Sequence, residues 1–168
     1  AVMIDLHAHF GDAHTLVDYA MLANVMAKDG VVVEAGDMVC FHTGFAQKVL
    51  DAGKQPSKEL LHGTGASLDG RDPALLDWIT RSGVAILAAD NYAVEAFPGR
   101  DGEDTCCAML PLHEHCLFKM GIHLGELWHL TPLANWLRDH GRNRFLLTAP
   151  PLRLPGAVGS PVTPVATV

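Results

Sequence analysis

The chain has 168 residues, of which 49% are hydrophobic and 18% are charged, and its formal net charge at neutral pH is −7. This composition is typical of a single globular domain and excludes an intrinsically disordered chain. The acidic balance argues against a nucleic-acid partner, and no apolar run reaches the length of a membrane span.

The cysteines do not show the paired spacing of a structural zinc site. They are Cys40, Cys106, Cys107 and Cys116. Adjacent cysteines rarely form a disulfide with each other, so we expect reduced thiols and a cytoplasmic location. No signal sequence precedes the first predicted strand, and the chain begins at Ala1 without an initiator methionine. We therefore expect one domain over residues 1–168 that is incomplete at its N-terminus.

A buried strand is predicted over residues 2–6, and His7 and His9 follow it directly. A strand that ends in His-x-His resembles the opening metal motif of the amidohydrolase superfamily, where both histidines bind one metal at the mouth of a TIM barrel. That fold needs about 250 residues and eight βα repeats, which this chain does not have. An amidohydrolase-type site at His7 and His9 is therefore an alternative to the site predicted below.

The region between residues 15 and 70 alternates helical and extended patterns. Helices are predicted over residues 15–28 and 45–52, and strands over residues 31–33 and 38–42. Residues 53–70 are rich in Gly, Lys and Ser. We expect a surface loop in that segment.

The next predicted helix starts at Asp72 and Pro73, an N-cap carboxylate followed by proline at the first helical position. The strand predicted over residues 84–89 is apolar enough to be buried on both faces of a sheet. Asp90 follows at its carboxyl end, where open α/β sheets place ligand-binding groups. Asp90 and Asn91 are also a common turn pair, and both interpretations stay open.

A short helix is also predicted near residue 112, because four side chains are spaced as one α-helical face. They are His113, Cys116, Leu117 and Met120. Gly121 is expected to end this helix, and Glu126 follows a short apolar segment. An imidazole and a carboxylate that meet there suit metal ligation or proton transfer. Spacing alone favours the plainer alternative of a packed histidine and a solvated glutamate.

The C-terminal part is predicted to contain one more helix and ordered extended segments. Thr131 and Pro132 are predicted as the N-cap and first residue of that helix, and Gly141 as its end. A strand is predicted over residues 144–149. The Pro- and Gly-rich segment after it has enough β-branched residues to favour an ordered strand-loop-strand.

Two motifs carry a resemblance to a known family. The first is Pro-Leu-His at residues 111–113, with Gly-Ile at 121–122 and Gly-Glu-Leu-Trp at 125–128. The second, at residues 149–161, is Ala-Pro-Pro-Leu-Arg-Leu-Pro-Gly-Ala-Val-Gly-Ser-Pro. In this order they resemble the cyclase family of metal-dependent hydrolases, which includes bacterial kynurenine formamidase and isatin hydrolase. The resemblance covers residues 75–168 well and residues 1–50 more loosely.

This resemblance implies an α/β fold with a mixed sheet flanked by helices, similar to the family's swivelling β/β/α fold. It also implies hydrolysis of a small-molecule amide, an N-formyl aryl amine such as N-formylkynurenine or a lactam-like ring, with Zn²⁺ or Mn²⁺. His113 and Glu126 match residues of the family's metal-centred active site, so we predict that they ligate the metal or act in catalysis. Asp90, Glu95 and Phe97 are predicted to contact the substrate or to orient the ligands.

The sequence departs from the family in its metal ligands. The family's His-x-x-x-His-x-Asp-x-x-x-His run is not found in this chain, and two ligands are fewer than the three that catalytic zinc usually has. We therefore expect either the C-terminal part of a complete enzyme or a degenerate relative that binds small molecules or forms oligomers. Family members usually associate, so a homodimer or a higher homo-oligomer is also expected.

Overall fold

The computed structural model describes residues 1–100 and 108–168. Within these ranges the secondary structure alternates between strands and helices along most of the chain. In chain order the elements are β1 (Val2–Asp5), α1 (Leu6–Phe10), β2 (Thr15–Val17), α2 (Tyr19–Asp29), β3 (Met38–His42), α3 (Phe45–Asp51), α4 (Lys58–Gly63), β4 (Ala66–Leu68), α5 (Pro73–Ser82), β5 (Ile86–Ala89), α6 (Pro111–His113), a π-helix (Glu114–Met120), β6 (His123–Gly125), α7 (Thr131–Asp139), β7 (Leu146–Thr148) and β8 (Val165–Thr167).

The central sheet has four strands in the order β1-β3-β5-β6, and every neighbouring pair is parallel. Two smaller sheets accompany it, the parallel pair β2-β4 and the antiparallel pair β7-β8. The predicted α/β class is confirmed. The antiparallel ladder between named strands is the β7-β8 pair, and an isolated antiparallel bridge joins Val2 of β1 to Arg144.

Both faces of the central sheet are covered by apolar side chains, because successive residues of a strand point to opposite faces. On one face, Val39 and Phe41 pack in the cluster that contains Leu22 of α2 and Leu75 of α5. On the other face, Cys40 packs in the cluster that contains Ala134 and Leu137 of α7. Helices thus cover both faces of the sheet. Because all neighbouring strands are parallel, their carboxyl ends meet at one edge between the two helical layers.

The surface loop predicted over residues 53–70 is wrong. The segment contains α4 and the strand β4, and Ala66 and Leu68 lie in the core with 1% or less of their surface exposed. β4 forms its ladder with β2, which is distant in sequence. A three-residue strand of this kind depends on tertiary pairing, and its Gly- and Ser-rich surroundings carry no periodic pattern. The strand predicted over residues 31–33 is also absent, although Val31 is buried.

The helix near residue 112 forms, but its winding differs from the prediction. Only Pro111–His113 is α-helical, and Glu114–Met120 is a π-helix that ends at Gly121 with φ of 68°. The wider π turn moves Leu117 and Met120 away from the core, so that both are exposed while Cys116 is buried. The predicted α-helical face is therefore wrong after Cys116, and the predicted Gly121 stop is confirmed.

The predicted helix start at Asp72 and Pro73 is confirmed, with the Asp72 carboxylate accepting a hydrogen bond from the Ala74 backbone N–H. The last helix starts one residue earlier than predicted, because Leu130 is the N-cap and Thr131 is already helical. The strand predicted over residues 144–149 is confirmed as β7, which pairs with β8. The Pro- and Gly-rich segment after it is wrong as a strand-loop-strand, because it contains one strand, β8, and an isolated antiparallel bridge between Pro151 and Val162.

Cys40 and Cys116 are free thiols and are buried. Burial raises the pKa of each to about 12, so both stay protonated at neutral pH. Cys106 and Cys107 lie outside the described residues. Among the helices that are described, none combines the length and apolar character needed to cross a membrane.

Candidate functional site

His113 lies between two carboxylates at the carboxyl edge of the central sheet. Its Nδ1 is 2.8 Å from Glu95 Oε1, and its Nε2 is 2.9 Å from Glu126 Oε1. The structure thus brings His113 and Glu126 into direct contact, although they are 13 residues apart. Glu95, predicted only to orient ligands or contact substrate, touches the same imidazole.

Glu95 is the buried member of this set, with 2% of its surface exposed. In addition to the imidazole, its carboxylate accepts hydrogen bonds from the backbone N–H groups of Leu112 and His113, both at 2.9 Å. A buried carboxylate needs such donors, since burial without partners strongly disfavours its charge. Glu95 therefore fixes both the start of α6 and the orientation of the His113 ring.

The charge state of His113 follows from these contacts. The hydrogen bonds to Glu126 and then to Glu95 raise the pKa of His113 from 6.5 to about 9, against the opposing effect of partial burial. At neutral pH the imidazole is therefore protonated, and both ring nitrogens donate hydrogen bonds. The Nδ1–H points to Glu95 and the Nε2–H points to Glu126.

This raised pKa predicts that stability depends on pH. The pKa of His113 is higher in the folded chain than its ordinary value near 6.5, so its contribution is complete below about pH 6.5 and is lost as pH rises through about 9. Urea unfolding across that window measures the effect. The decline should be absent in His113→Gln and present in His115→Gln, a neighbouring histidine that contacts Thr80. An equal decline in wild type and His113→Gln would contradict the assignment.

Glu126 reaches the imidazole because of the chain path after β6. Gly125 ends that strand and has no side chain, which lets the Trp128 ring pack over it; a Cβ at Gly125 would lie 2.9 Å from two atoms of that ring. Leu127, between Glu126 and Trp128, adopts a left-handed backbone with φ of 56°. The Glu126 side chain is about one-third exposed, so it remains accessible to solvent and to small molecules.

Gly70 lies beside the Glu95 carboxylate, at a position where a side chain does not fit. A Cβ on Gly70 would overlap Glu95 Oε2 and would lie 3.0 Å from the backbone nitrogen of Leu112. Gly70 lies just after β4, in the segment that the sequence predicted as a loop, and for this reason its role was missed. The only sign of this role in the sequence is that Gly70 stands shortly before the helix start at Asp72 and Pro73.

Asp90 is fully buried. Its Oδ1 accepts hydrogen bonds from the Thr43 backbone N–H and hydroxyl, both at 2.6 Å, and its Oδ2 accepts one from the Gly44 backbone N–H at 2.8 Å. These contacts connect β5 to the start of α3. The predicted contact of Asp90 with a ligand stays a prediction.

A cleft beside Glu95 is lined partly by aromatic side chains. Its lining includes Phe45, Tyr92 and the half-exposed Phe97, which was predicted to contact substrate. Ser67 also lines it, and its hydroxyl is the only buried side-chain polar atom without a hydrogen-bond partner in residues 1–100 and 108–168. The sequence reasoning missed Ser67 because it lies on β4.

The alternative site at His7 and His9 is not formed. The two residues lie on the short helix α1, where positions two apart do not face each other. His7 Nε2 contacts Asp12, and His9 Nε2 contacts Asp29, both at 2.9 Å. The central sheet has four strands and no barrel closes within the described residues. The amidohydrolase-type alternative is therefore wrong.

A metal site was predicted at His113 and Glu126, and the side chains around them provide a test. No group of three His, Cys, Asp or Glu side chains that could hold a metal ion is found in the part of the chain that is described. Glu95 is adjacent, but its carboxylate already accepts three hydrogen bonds from Leu112 and His113. The described residues therefore do not fit a catalytic zinc or manganese site on their own.

Comparison with known families agrees with this architecture. The model of the Cyclase family, described as "Putative cyclase", matches residues 1–96, which is more than half of the chain. The chain belongs to the Cyclase family. No curated protein matches it.

Solved structures show the same fold. A protein described as a novel cyclase is 28% identical with a TM-score of 0.81, and the match covers 99% of this chain and 52% of that protein. Isatin hydrolase A from Ralstonia solanacearum is 17% identical with a TM-score of 0.69, covering 99% and 58%. A potential metal-dependent hydrolase with cyclase activity is 17% identical with a TM-score of 0.57, covering 99% and 63%. The chain thus spans between 52% and 63% of the length of these relatives.

Proposed function

We propose that this chain contributes the proton-transfer part of a metal-dependent amide hydrolase of the Cyclase family. The substrate class is a small N-formyl aryl amine or a lactam-like ring. The observation that carries the proposal is the His113 imidazole hydrogen-bonded to Glu95 on one side and to the more exposed Glu126 on the other. The names of two solved structures of the same fold, an isatin hydrolase and a potential metal-dependent hydrolase with cyclase activity, support the reaction class.

The three side chains have complementary roles in this proposal. Glu126 acts as general base and takes a proton from water as the hydroxide oxygen bonds to the amide carbonyl carbon. His113, protonated at neutral pH, donates its Nε2 proton to the leaving nitrogen as the C–N bond breaks. Glu126 then returns its proton to His113 Nε2 along their 2.9 Å contact. Water and amide have become carboxylic acid and amine, and Glu95 has kept the ring oriented.

The divalent metal remains a proposal of its own. The Glu126 carboxylate is a donor that zinc or manganese accepts, whereas His113 Nε2 would become one only by losing the proton that it donates in the steps above. Catalytic sites also usually have three protein ligands. We propose that any further ligands come from outside the described residues or from a second copy of the chain. No step above depends on that metal.

The proposal predicts that the purified chain hydrolyses N-formylkynurenine or a comparable aryl formamide. The formation of the aryl amine is followed by absorbance, and bound zinc and manganese are measured by elemental analysis of the same sample. Catalysis with stoichiometric metal supports the full proposal, and catalysis without metal supports the proton-transfer part alone. An inert chain would contradict it.

A non-catalytic role is the second candidate, and the absence of a three-ligand group among the described residues favours it. In that case the chain would bind a small molecule in the aromatic cleft or would serve as an oligomer-forming domain. Binding of an aryl formamide without turnover, measured by calorimetry, separates this function from the hydrolase.

We also propose that the chain forms a homodimer or a higher homo-oligomer. Large apolar side chains are exposed on the π-helix and on the C-terminal segment, and where such side chains form a contiguous patch they mark an interaction surface. They include Leu117, Phe118, Leu152, Leu154 and Val158. Association of copies would remove this apolar surface from water.

A further inference from the structure

Two left-handed backbone positions border the two carboxylates that contact His113. Val94, immediately before Glu95, has φ of 61°, and Leu127, immediately after Glu126, has φ of 56°. In residues 1–100 and 108–168 they are the only residues other than glycine with positive φ. A β-branched residue such as valine is a genuine outlier in this conformation, so the surrounding structure must impose it.

One residue, Asn91, contacts both of these positions. Its side-chain Oδ1 accepts a hydrogen bond from the Val94 backbone N–H at 2.7 Å. Its backbone carbonyl accepts one from the Leu127 backbone N–H at 2.9 Å. Its Nδ2 donates to the Ala66 carbonyl at 3.2 Å and to the Val94 carbonyl at 3.4 Å. Asn91 thus connects the turn before Glu95, the turn after Glu126 and strand β4.

The location of Asn91 suits this role. It is buried, with 6% of its surface exposed, and it comes two residues after the end of β5 at the carboxyl edge of the sheet. Asparagine can make all these contacts at once, since its amide offers both an acceptor and two donors. Its amide group bonds to the backbone of Ala66 and Val94.

We propose that Asn91 is a positioning residue that sets the separation of Glu95 and Glu126, and through it the two hydrogen bonds of His113. The proposal rests on the proposed function only for its activity readout. The three side chains and the two backbone turns have this arrangement whatever the reaction is.

The test compares Asn91→Ala with Asn143→Ala. Asn143 is a matched control, because its amide also donates to a backbone carbonyl, that of Gly30, away from the site. Crystal structures of both variants are expected to show that only Asn91→Ala, which removes the side-chain hydrogen bonds to Val94 and Ala66, changes the turn at Val94 and separates His113 from Glu95. The Leu127 N–H should stay on the backbone carbonyl of residue 91, which the substitution retains. The contact of β4 with Glu95 through the Leu68–Glu95 bridge remains, so the variant should fold.

Activity provides the second readout. A displacement of about 1 Å can reduce a rate about 100-fold, so we expect kcat for an aryl formamide to fall by that order in Asn91→Ala while KM changes little. Asn91→Ser, whose hydroxyl can still accept the Val94 N–H, should restore part of the rate and also serves if the alanine variant does not fold.

Unchanged turns and unchanged hydrogen bonds of His113 in Asn91→Ala would overturn the proposal, whether or not the chain is a hydrolase. If the wild-type chain is inert but the variant shows the displaced carboxylate, the positioning role stands and the proposed hydrolase function fails. A loss of activity with the same geometry as wild type would also overturn the proposal.

Discussion

Replacement of His113 by alanine is expected to reduce amide hydrolysis by about 10²–10⁴-fold, the usual contribution of a positioned proton-transfer group. The variant loses the proton donor and also the partner of both carboxylates. The buried Glu95 keeps the backbone donors of Leu112 and residue 113, so the fold should survive. Steady-state kinetics with an aryl formamide measure the loss, and circular dichroism checks folding.

His115→Ala is the matched control for this experiment. His115 lies two residues further along on the π-helix, and its Nε2 contacts the Thr80 hydroxyl at 2.9 Å rather than a carboxylate. Its replacement should leave kcat within about twofold of wild type, because it has no access to the proposed reacting atoms. Wild-type rates in His113→Ala, or equal losses in the two variants, would refute the proton-transfer role.

Replacement of Gly70 by alanine is expected to lower the free energy of unfolding by about 1–3 kcal/mol, as overpacking of a close-packed site does. The new methyl group would overlap Glu95 Oε2 and would press against the Leu112 backbone nitrogen at 3.0 Å. Glu95 would have to move from both backbone donors and from the imidazole, so the rate should also fall, by about 100-fold. Urea unfolding and kinetics measure the two effects.

The control for Gly70→Ala is Gly63→Ala, since a Cβ on Gly63 would meet no atom within 4 Å. That variant should stay within about 0.5 kcal/mol of wild type. A double-mutant cycle with Glu95→Ala tests the cause. If the overlap with the carboxylate is responsible, Gly70→Ala should cost much less stability when Glu95 is absent. An equal cost in both backgrounds would show that the backbone contact, and not Glu95, is the source.

Several elements of the fold followed directly from local patterns. The buried run after Gly83 predicted β5, and Asp72 with Pro73 predicted the start of α5, because caps and apolar runs act over a few residues. The strand β4 could not be predicted in this way. Its three residues are a strand because β2 pairs with them from about fifty positions earlier in the chain.

The candidate site was also predictable only in part from the sequence. The motif around His113 and the position of Glu126 were enough to predict that these residues act together, and the structure places them in contact. The winding of the helix between them was not predictable, because an α and a π turn differ by one residue in hydrogen-bond spacing and the apolar pattern is too short to separate them.

The sequence by itself determined the α/β class and the family resemblance, because these depend on residue types and short motifs. The pair formed by His113 and Glu126 followed from that resemblance, since spacing alone favoured a packed histidine and a solvated glutamate. Only the tertiary structure decided that Glu95 contacts the His113 ring at the nitrogen opposite Glu126 and that Gly70 leaves room for the Glu95 carboxylate. It also decided that Asn91 connects the turns at Val94 and Leu127. The long-range contacts among these join residues 17 to 36 positions apart, and their geometry depends on how the strands and loops pack at one edge of the sheet.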